Sequence, residues 1–185
     1  MWARIYTAMA IAGALARCAN ASLVLDLNGN GLCDVTTPHH AFATGPFVER
    51  GSVTFDIVGD GVPRRCEWLK PDADGLLVLD KNGNGVIDGP TELFGNTDGY
   101  ESGYAKLSLL DRNGDGVLTG SELAQLWVWE DNGDGGTQPG ELKSVKTLGI
   151  TKIDVRHSRY VSTFVRNGTQ YSSWDWFPRT LSHER

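Results

Sequence analysis

The chain has 185 residues, with 17 Lys plus Arg against 23 Asp plus Glu and a formal net charge of −6. A chain of this length suits one domain with a real core. Its acidity excludes the basic patches that nucleic acid demands, and beyond the N-terminal segment no stretch is apolar enough to cross a membrane.

Met1–Arg4 carries positive charge, Ile5–Ala16 is apolar apart from Tyr6 and Thr7, and Ala19-Asn20-Ala21 places small residues where a signal peptidase reads. This predicts a secretory signal peptide over residues 1–21, cleaved after Ala21. The apolar run of about a dozen residues is short of the roughly twenty that span a bilayer. Leu15-Ala16-Arg17-Cys18 resembles a bacterial lipobox, with Arg17 where a small residue belongs, so lipid attachment at Cys18 is an alternative. Either route makes the chain secreted or cell-surface. Cys33 and Cys66 remain after cleavage. In an exported chain the pair reads most simply as a disulfide, with two free buried thiols as the alternative.

Ser22–Leu25 is a short apolar strand feeding Asp26, Asn28, Asn30 and Asp34 at positions one, three, five and nine of a loop. Thr37 stands at position twelve, where a calcium loop needs an acid. The loop either binds a cation weakly or is a turn rich in Asn and Gly. His39-His40 follow in a polar loop. Ser52–Ile57 alternates like a strand. Asp56 to Gly61 lacks a ligand at Val58 and reads as the turn of a hairpin between Val53–Ile57 and Arg65–Leu69. Asp72 and Asp74 lie in the next loop, free to act as ligands from outside.

Leu76–Leu79 is an apolar strand. It leads into Asp80, Asn82, Asn84, the Val86 carbonyl and Asp88, with an acid one residue late at Glu92. Gly89-Pro90 allows a longer exit turn through which Glu92 reaches back, with Leu93 and Phe94 packed inward. Tyr100–Leu110 predicts a helix, with Tyr104, Leu107 and Leu110 on one face. Asp111, Asn113, Asp115, the Val117 carbonyl and Glu122 then match the EF-hand calcium loop in full, with Gly116 at its sharp turn. Leu123, Leu126 and Trp127 suggest a short exiting helix, completing a helix–loop–helix. A distorted loop comes next, with Glu130, Asn132, Asp134 and Glu141 at positions one, three, five and twelve. Glu130 is longer than the usual Asp, and Asp131 is placed to shift in for it. Glu141–Leu148 predicts a short helix closed by Gly149.

Ile150–Val155 reads as a strand. Tyr160–Arg166 and Thr169–Phe177 flank Asn167-Gly168, a two-residue hairpin signal that pairs Phe164 with Tyr171 and Val161 with Trp174. Trp174 and Trp176 share a face, which packs on the core or offers a glycan-stacking surface. Arg179–Arg185 reads as a frayed tail. The expected fold class is α+β: a strand-rich N-terminal part (22–79), an EF-hand-like centre carrying the calcium loops (80–149) and a C-terminal β-hairpin (150–178), in one domain over 22–178.

The runs FDIVGDGVPRRCEW, DGLLVLDKNGNGVIDGPTELFGN, LDRNGDGVLTGSEL and LWVWEDNGDGGTQPGELKSVKTLGI together resemble a group of secreted bacterial EF-hand-like calcium-binding proteins. The resemblance covers about Val53 to Trp176. It implies calcium binding outside the cytoplasm, often within larger surface proteins. The late Glu92 fits that pattern, whereas Glu130, Val58 and Arg65-Cys66 depart from it. Some relatives in this broad group carry a calcium-triggered self-cleavage at an Asp-Pro bond, and this chain has no Asp-Pro step.

The function expected is that of an exported, non-enzymatic protein whose loops bind Ca2+ to stabilise the fold. An adhesion module with an extracellular protein or glycan partner differs only in output. A calcium-supported hydrolase using His39, His40 or His157 has no nucleophile elbow, His-Glu-x-x-His or phosphate loop behind it.

Overall fold

The computed structural model describes residues 21–36 and 51–180. Residues 1–20 of the predicted signal peptide (Cys18 among them), Thr37, His39-His40 and the last five residues lie outside the described residues.

The expected α+β class does not hold, because the chain is mostly β. Among the described residues ten strands form in order: β1 (Ser22–Leu25), β2 (Val53–Phe55), β3 (Arg64–Cys66), β4 (Gly75–Val78), β5 (Val117–Thr119), β6 (Trp127–Trp129), β7 (Leu142–Ser144), β8 (Ile150–Asp154), β9 (Val161–Arg166) and β10 (Thr169–Trp176). Eight of them make one antiparallel sheet, ordered β5-β8-β9-β10-β1-β4-β6-β7, and β2 pairs with β3 as a separate hairpin. The α-helical part of the predicted Tyr100–Leu110 helix shrinks to α1 (Gly103–Leu107), capped by Ser102, with a 3-10 turn over Ser108–Leu110.

The two other expected helices do not form: a 3-10 turn leading into β6 stands in place of the first, and β7 followed by a turn in place of the second. Leu123 and Leu126 are both buried, but only a single 3-10 turn, Gly120–Leu123, forms there. Trp127–Trp129 then joins the sheet, setting Leu76 opposite Trp129 and Val78 opposite Trp127. Aromatic and β-branched residues gain more from such cross-strand packing than from a lone exposed helical turn. Leu142–Ser144 pairs with the free edge of that strand, so its backbone groups find partners without a helix. The EF-hand order of helix, loop, helix is thus absent around Asp111: α1 and its 3-10 turn precede the loop, β5 lies within it, and only the 3-10 turn Gly120–Leu123 closes it.

The central strands explain why the sheet has a core on both sides. β1 and β4 are buried along their whole length, and their side chains alternate between two apolar clusters. Val24, Leu76, Val78, Trp129, Trp174 and Trp176 face one way, under the β2–β3 hairpin with Phe55, Trp68 and Leu69. Leu23, Leu25, Leu77, Val128 and Phe164 face the other, under Tyr104 and Leu107 of α1. Trp174 and Trp176 are therefore core residues, not a glycan surface. The hairpin register is the predicted one, Tyr171 opposite Phe164 and Trp174 opposite Val161. Asn167 and Gly168 both take positive φ (51° and 80°), as a type I′ turn requires.

Two further expectations change. Cys33 and Cys66 are free thiols, both buried in the first apolar cluster, so the disulfide expectation gives way to its alternative. Arg179 and Thr180 are not frayed: Arg179 pairs with the buried Glu67 at 3.0 Å, and Thr180 bridges Cys66. Among the described residues no helix is long and apolar enough to cross a membrane.

Candidate metal centres

The Asp/Asn/Gly loops share one backbone design. In each, the first aspartate accepts loop N–H groups on both of its oxygens. Asp111 holds Gly114 and Gly116 at 2.8 Å each, and Asp80 holds Gly83 and Gly85 at 2.8 and 2.9 Å. Asp26 does the same to Gly29 and Gly31, and Asp56 to Gly59 and Gly61. The side chains at positions three and five each accept the N–H two residues on. Asn113 and Asp115 do so in one loop, Asn82 and Asn84 in another, Asn28 and Asn30 in the first. Gly116 sits at φ +88°, a conformation that L side chains rarely adopt.

The closing glutamates complete two loops in the same manner. Glu122 accepts Arg112 N–H on one oxygen at 2.9 Å and Thr119 N–H on the other at 3.0 Å, joining positions two and nine. Glu92 accepts Lys81 and Asp88 N–H at 3.1 and 3.0 Å, again positions two and nine. The turn through Gly89 and Pro90, whose carbonyls accept Glu92 and Leu93 N–H, absorbs the extra residue. A carboxylate has about four lone-pair sites, so each of these oxygens keeps capacity for a cation. Val117 and Val86 stand at position seven of the two loops. Among the described residues no three His, Cys, Asp or Glu side chains are gathered into a metal cluster. Calcium loops draw many of their oxygens from amides and carbonyls instead.

The third loop is built as the long Glu130 suggested. Asp131, not Glu130, takes the first position: it is buried and accepts Gly133 and Gly135 N–H at 2.8 and 3.2 Å. Desolvation raises its pKa. Glu130 turns away to Lys143. Asn132 gives its N–H to Glu141 and its amide to Gln138, so it fills position two rather than three. Asp134 accepts Gly136 N–H as a fifth-position residue does. Glu141 closes the loop through Asn132 and Gln138 N–H and the Trp129 indole. The Asp56 loop is a hairpin turn, with Asp60 neutralised by Arg64 at 2.7 Å.

Three features escaped sequence reasoning. Asp74, expected only as an acid outside the loops, reaches the first loop and accepts Asp34 N–H at 2.7 Å. Burial, then the charges of Asp34 and Asp26, push its pKa up to about 7. Asp175 is fully buried beside α1, where Gly103 N–H donates to it at 2.8 Å. Its alternation signal was an acid between two core tryptophans. The Glu67–Arg179 pair had no signal at all. His157 is stacked between Tyr104 and Tyr160, at 4.9 and 5.7 Å, and accepts Tyr160 N–H.

Comparison with known proteins adds relatives and a family. The chain is 36% identical over 144 residues to the iron-regulated protein FrpA of Neisseria meningitidis serogroup C, a match covering 73% of this chain and 12% of that protein. The chain therefore spans about an eighth of the relative's length. No solved structure matches it. The profile of the SPM domain matches residues 23–177, from the second residue of β1 to just past the end of β10, so nearly all of the described sheet and all its loops lie inside one family unit: this chain belongs to the SPM domain family.

Proposed function

We propose that the chain is an exported, non-enzymatic calcium-binding domain whose loops hold Ca2+ mainly to stabilise the fold. One observation carries the reading. In the Asp80 and Asp111 loops the first and closing carboxylates are each fixed by two or three backbone N–H groups, with side-chain oxygens at positions three and five between them. Each loop carries three formal negative charges: Asp80, Asp88 and Glu92 in one, Asp111, Asp115 and Glu122 in the other. That favours calcium over magnesium, which gives up its waters reluctantly. Asp131, Asp134 and Glu141 form a third, more buried candidate.

Extracellular calcium modules bind at roughly 10⁻⁴–10⁻³ M, a range in which a site outside the cell stays filled rather than signalling. Bound ion then adds its binding free energy to folding. Calorimetric titration of the full chain with calcium tests this. The expected result is at least two bound ions and a rise in melting temperature with calcium. No binding at millimolar calcium overturns it.

A further inference from the structure

We propose that the groove beside Trp127 is a subsite for a neutral saccharide, with one pyranose ring stacked on the indole and its hydroxyls met by Lys81 and Gln125. The site is separate from calcium binding and stands whether or not the Asp80 loop holds an ion.

Among the described residues Trp68, Trp129, Trp174 and Trp176 are buried, and Trp127 is the one exposed tryptophan, at 37%. Burial along β6 runs exposed, buried, buried, so the core closes at Val128 and Trp129 and leaves the first ring of the strand uncovered. Beside that ring lies an open groove of about 490 Å³, lined by Leu79, Asp80, Lys81, Gly83, Gln125 and Trp127. Small-ligand sites commonly measure roughly 300–1,000 Å³. None of the other exposed large apolar side chains lines the groove. A single indole among polar neighbours is too little apolar surface for the core of a protein interface. It matches a sugar, which has an apolar C–H face and a polar rim.

The hydrogen-bonding groups on that rim are uncommitted. The Lys81 ammonium, the Gln125 amide and the Trp127 indole N–H have no hydrogen bond or ion pair among the described residues. Asp80 differs, because its carboxylate already accepts Gly83, Asn84 and Gly85 N–H at 2.8, 3.2 and 2.9 Å. The backbone beneath each free group is fixed. Lys81 N–H donates to Glu92 at 3.1 Å, and Trp127 is paired with β4 on one side and β7 on the other. Gln125 is bracketed by Ala124 N–H on the Ser121 carbonyl and Leu126 N–H on the Leu123 carbonyl. Groups held on rigid backbone bind with a smaller ordering cost. Charge then selects the ligand class: the formal charges of Asp80 and Lys81 cancel, so the groove suits an uncharged molecule. The axial C–H groups of a pyranose lie against the negative face of an aromatic ring. Its hydroxyls both donate and accept, which suits an ammonium donor beside an amide that does both.

Titration of the full nitrogen-15-labelled chain with cellotetraose and, separately, with triacetylchitotriose tests the proposal, in buffer containing calcium. The Trp127 indole N–H resonance, assigned with W127F, is expected to shift saturably with at least one of them, with a Kd of about 1 mM. W127A and Q125A should each weaken that binding roughly tenfold or more, and W127F, which keeps a ring, should weaken it less. No saturable shift with either sugar overturns the proposal, and so does binding that W127A leaves unchanged. Self-association in sedimentation that W127A abolishes, without a response to sugar, assigns the face to a second copy of the chain and also overturns it. Calcium titration of Q125A should match wild type, so loss of sugar binding and failure of the calcium reading are told apart. Should W127A fail to fold by near-ultraviolet circular dichroism, Q125A and K81Q decide, because Lys81 and Gln125 are both exposed.

Discussion

The Trp68 indole N–H donates to Asp131 Oδ2 at 2.6 Å, tying the first residue of the third loop to the apolar cluster beneath it. Trp68 is fully buried and packs against Phe55, Trp129 and Trp176, with ring centroids 5.4 to 6.4 Å apart. A hydrogen bond to a charged group contributes about 1.5–3 kcal/mol. Trp68→Phe keeps an aromatic ring but removes the donor. We expect it to destabilise the protein by about 2–4 kcal/mol in urea titration, the excess over the hydrogen bond coming from lost volume. Hydrogen exchange at Gly133 and Gly135 should quicken along with it. A variant within about 0.5 kcal/mol of wild type would show that the indole does not anchor the loop.

The closing glutamates differ in burial, and that ranks their effects. Glu122 is half-exposed, while Glu92 is 2% exposed. Both substitutions, E122Q and E92Q, remove one negative charge from a three-acid loop, and each should weaken its own site at least tenfold, about 1.4 kcal/mol. E92Q should also lower stability without calcium, because its carboxylate oxygens hold Lys81 and Asp88 N–H in a buried place. Terbium reports which loop is emptied. Trp127 lies in the groove with Asp80 and Lys81, and Trp129 donates to Glu141. Tryptophan-sensitised terbium emission, displaced by calcium, is therefore expected. W127F should dim the Asp80 contribution most. Emission indifferent to calcium would count against these assignments.

Cys33 and Cys66 are predicted to behave as inert thiols. Both are buried, and desolvation pushes the Cys66 thiol up to about 12. The thiolate is the reactive form. Alkylation by iodoacetamide at pH 8 should be at least roughly a hundredfold slower in the native protein than in denaturant. In denaturant without reductant, mass spectrometry should find both cysteines labelled. Labelling that requires a reductant would restore the disulfide.

The strands and the loops were legible in the sequence for different reasons. SLVL and GLLV are continuous apolar runs, and such runs become strands buried on both faces. Asn167-Gly168 set the hairpin and its register without help from the rest of the chain. Asp80 and Asp111 announced their loops by spacing alone. What failed was the helical reading of Leu123–Trp127, where the apolar spacing belonged to a turn leading into a strand, and of 141–148, which is a short strand followed by a turn. No local pattern distinguishes these, since the deciding partner of Trp127–Trp129 is β4, some fifty residues away. Asp74 was visible as an acid but not as a loop residue, because its place depends on the β1–β4 register.

Asp175 should make stability fall as pH rises. Burial pushes its carboxyl from an ordinary 3.8 up to about 7, offset only in part by Gly103 N–H on Oδ2, and Oδ1 has no partner. Beside it the Tyr104 hydroxyl is bonded to Ser173, and among the described residues no cation pairs with it. The folded state therefore keeps the proton up to about pH 7, while the unfolded chain releases it near pH 4. Between those values the native state binds more protons, so stability is full below about pH 4 and declines to about pH 7. The shift of about three pKa units corresponds to about 4 kcal/mol at most. Asp74 is shifted the same way, so the comparison that isolates Asp175 is wild type against D175N. The asparagine keeps an oxygen for Gly103 N–H and cannot ionise. Urea unfolding at pH 4.5 and pH 7.5 should show a smaller fall in D175N than in wild type, and D175N should be the more stable protein at pH 7.5. Equal pH dependence in the two would mean that Asp175 is already ionised in the folded protein.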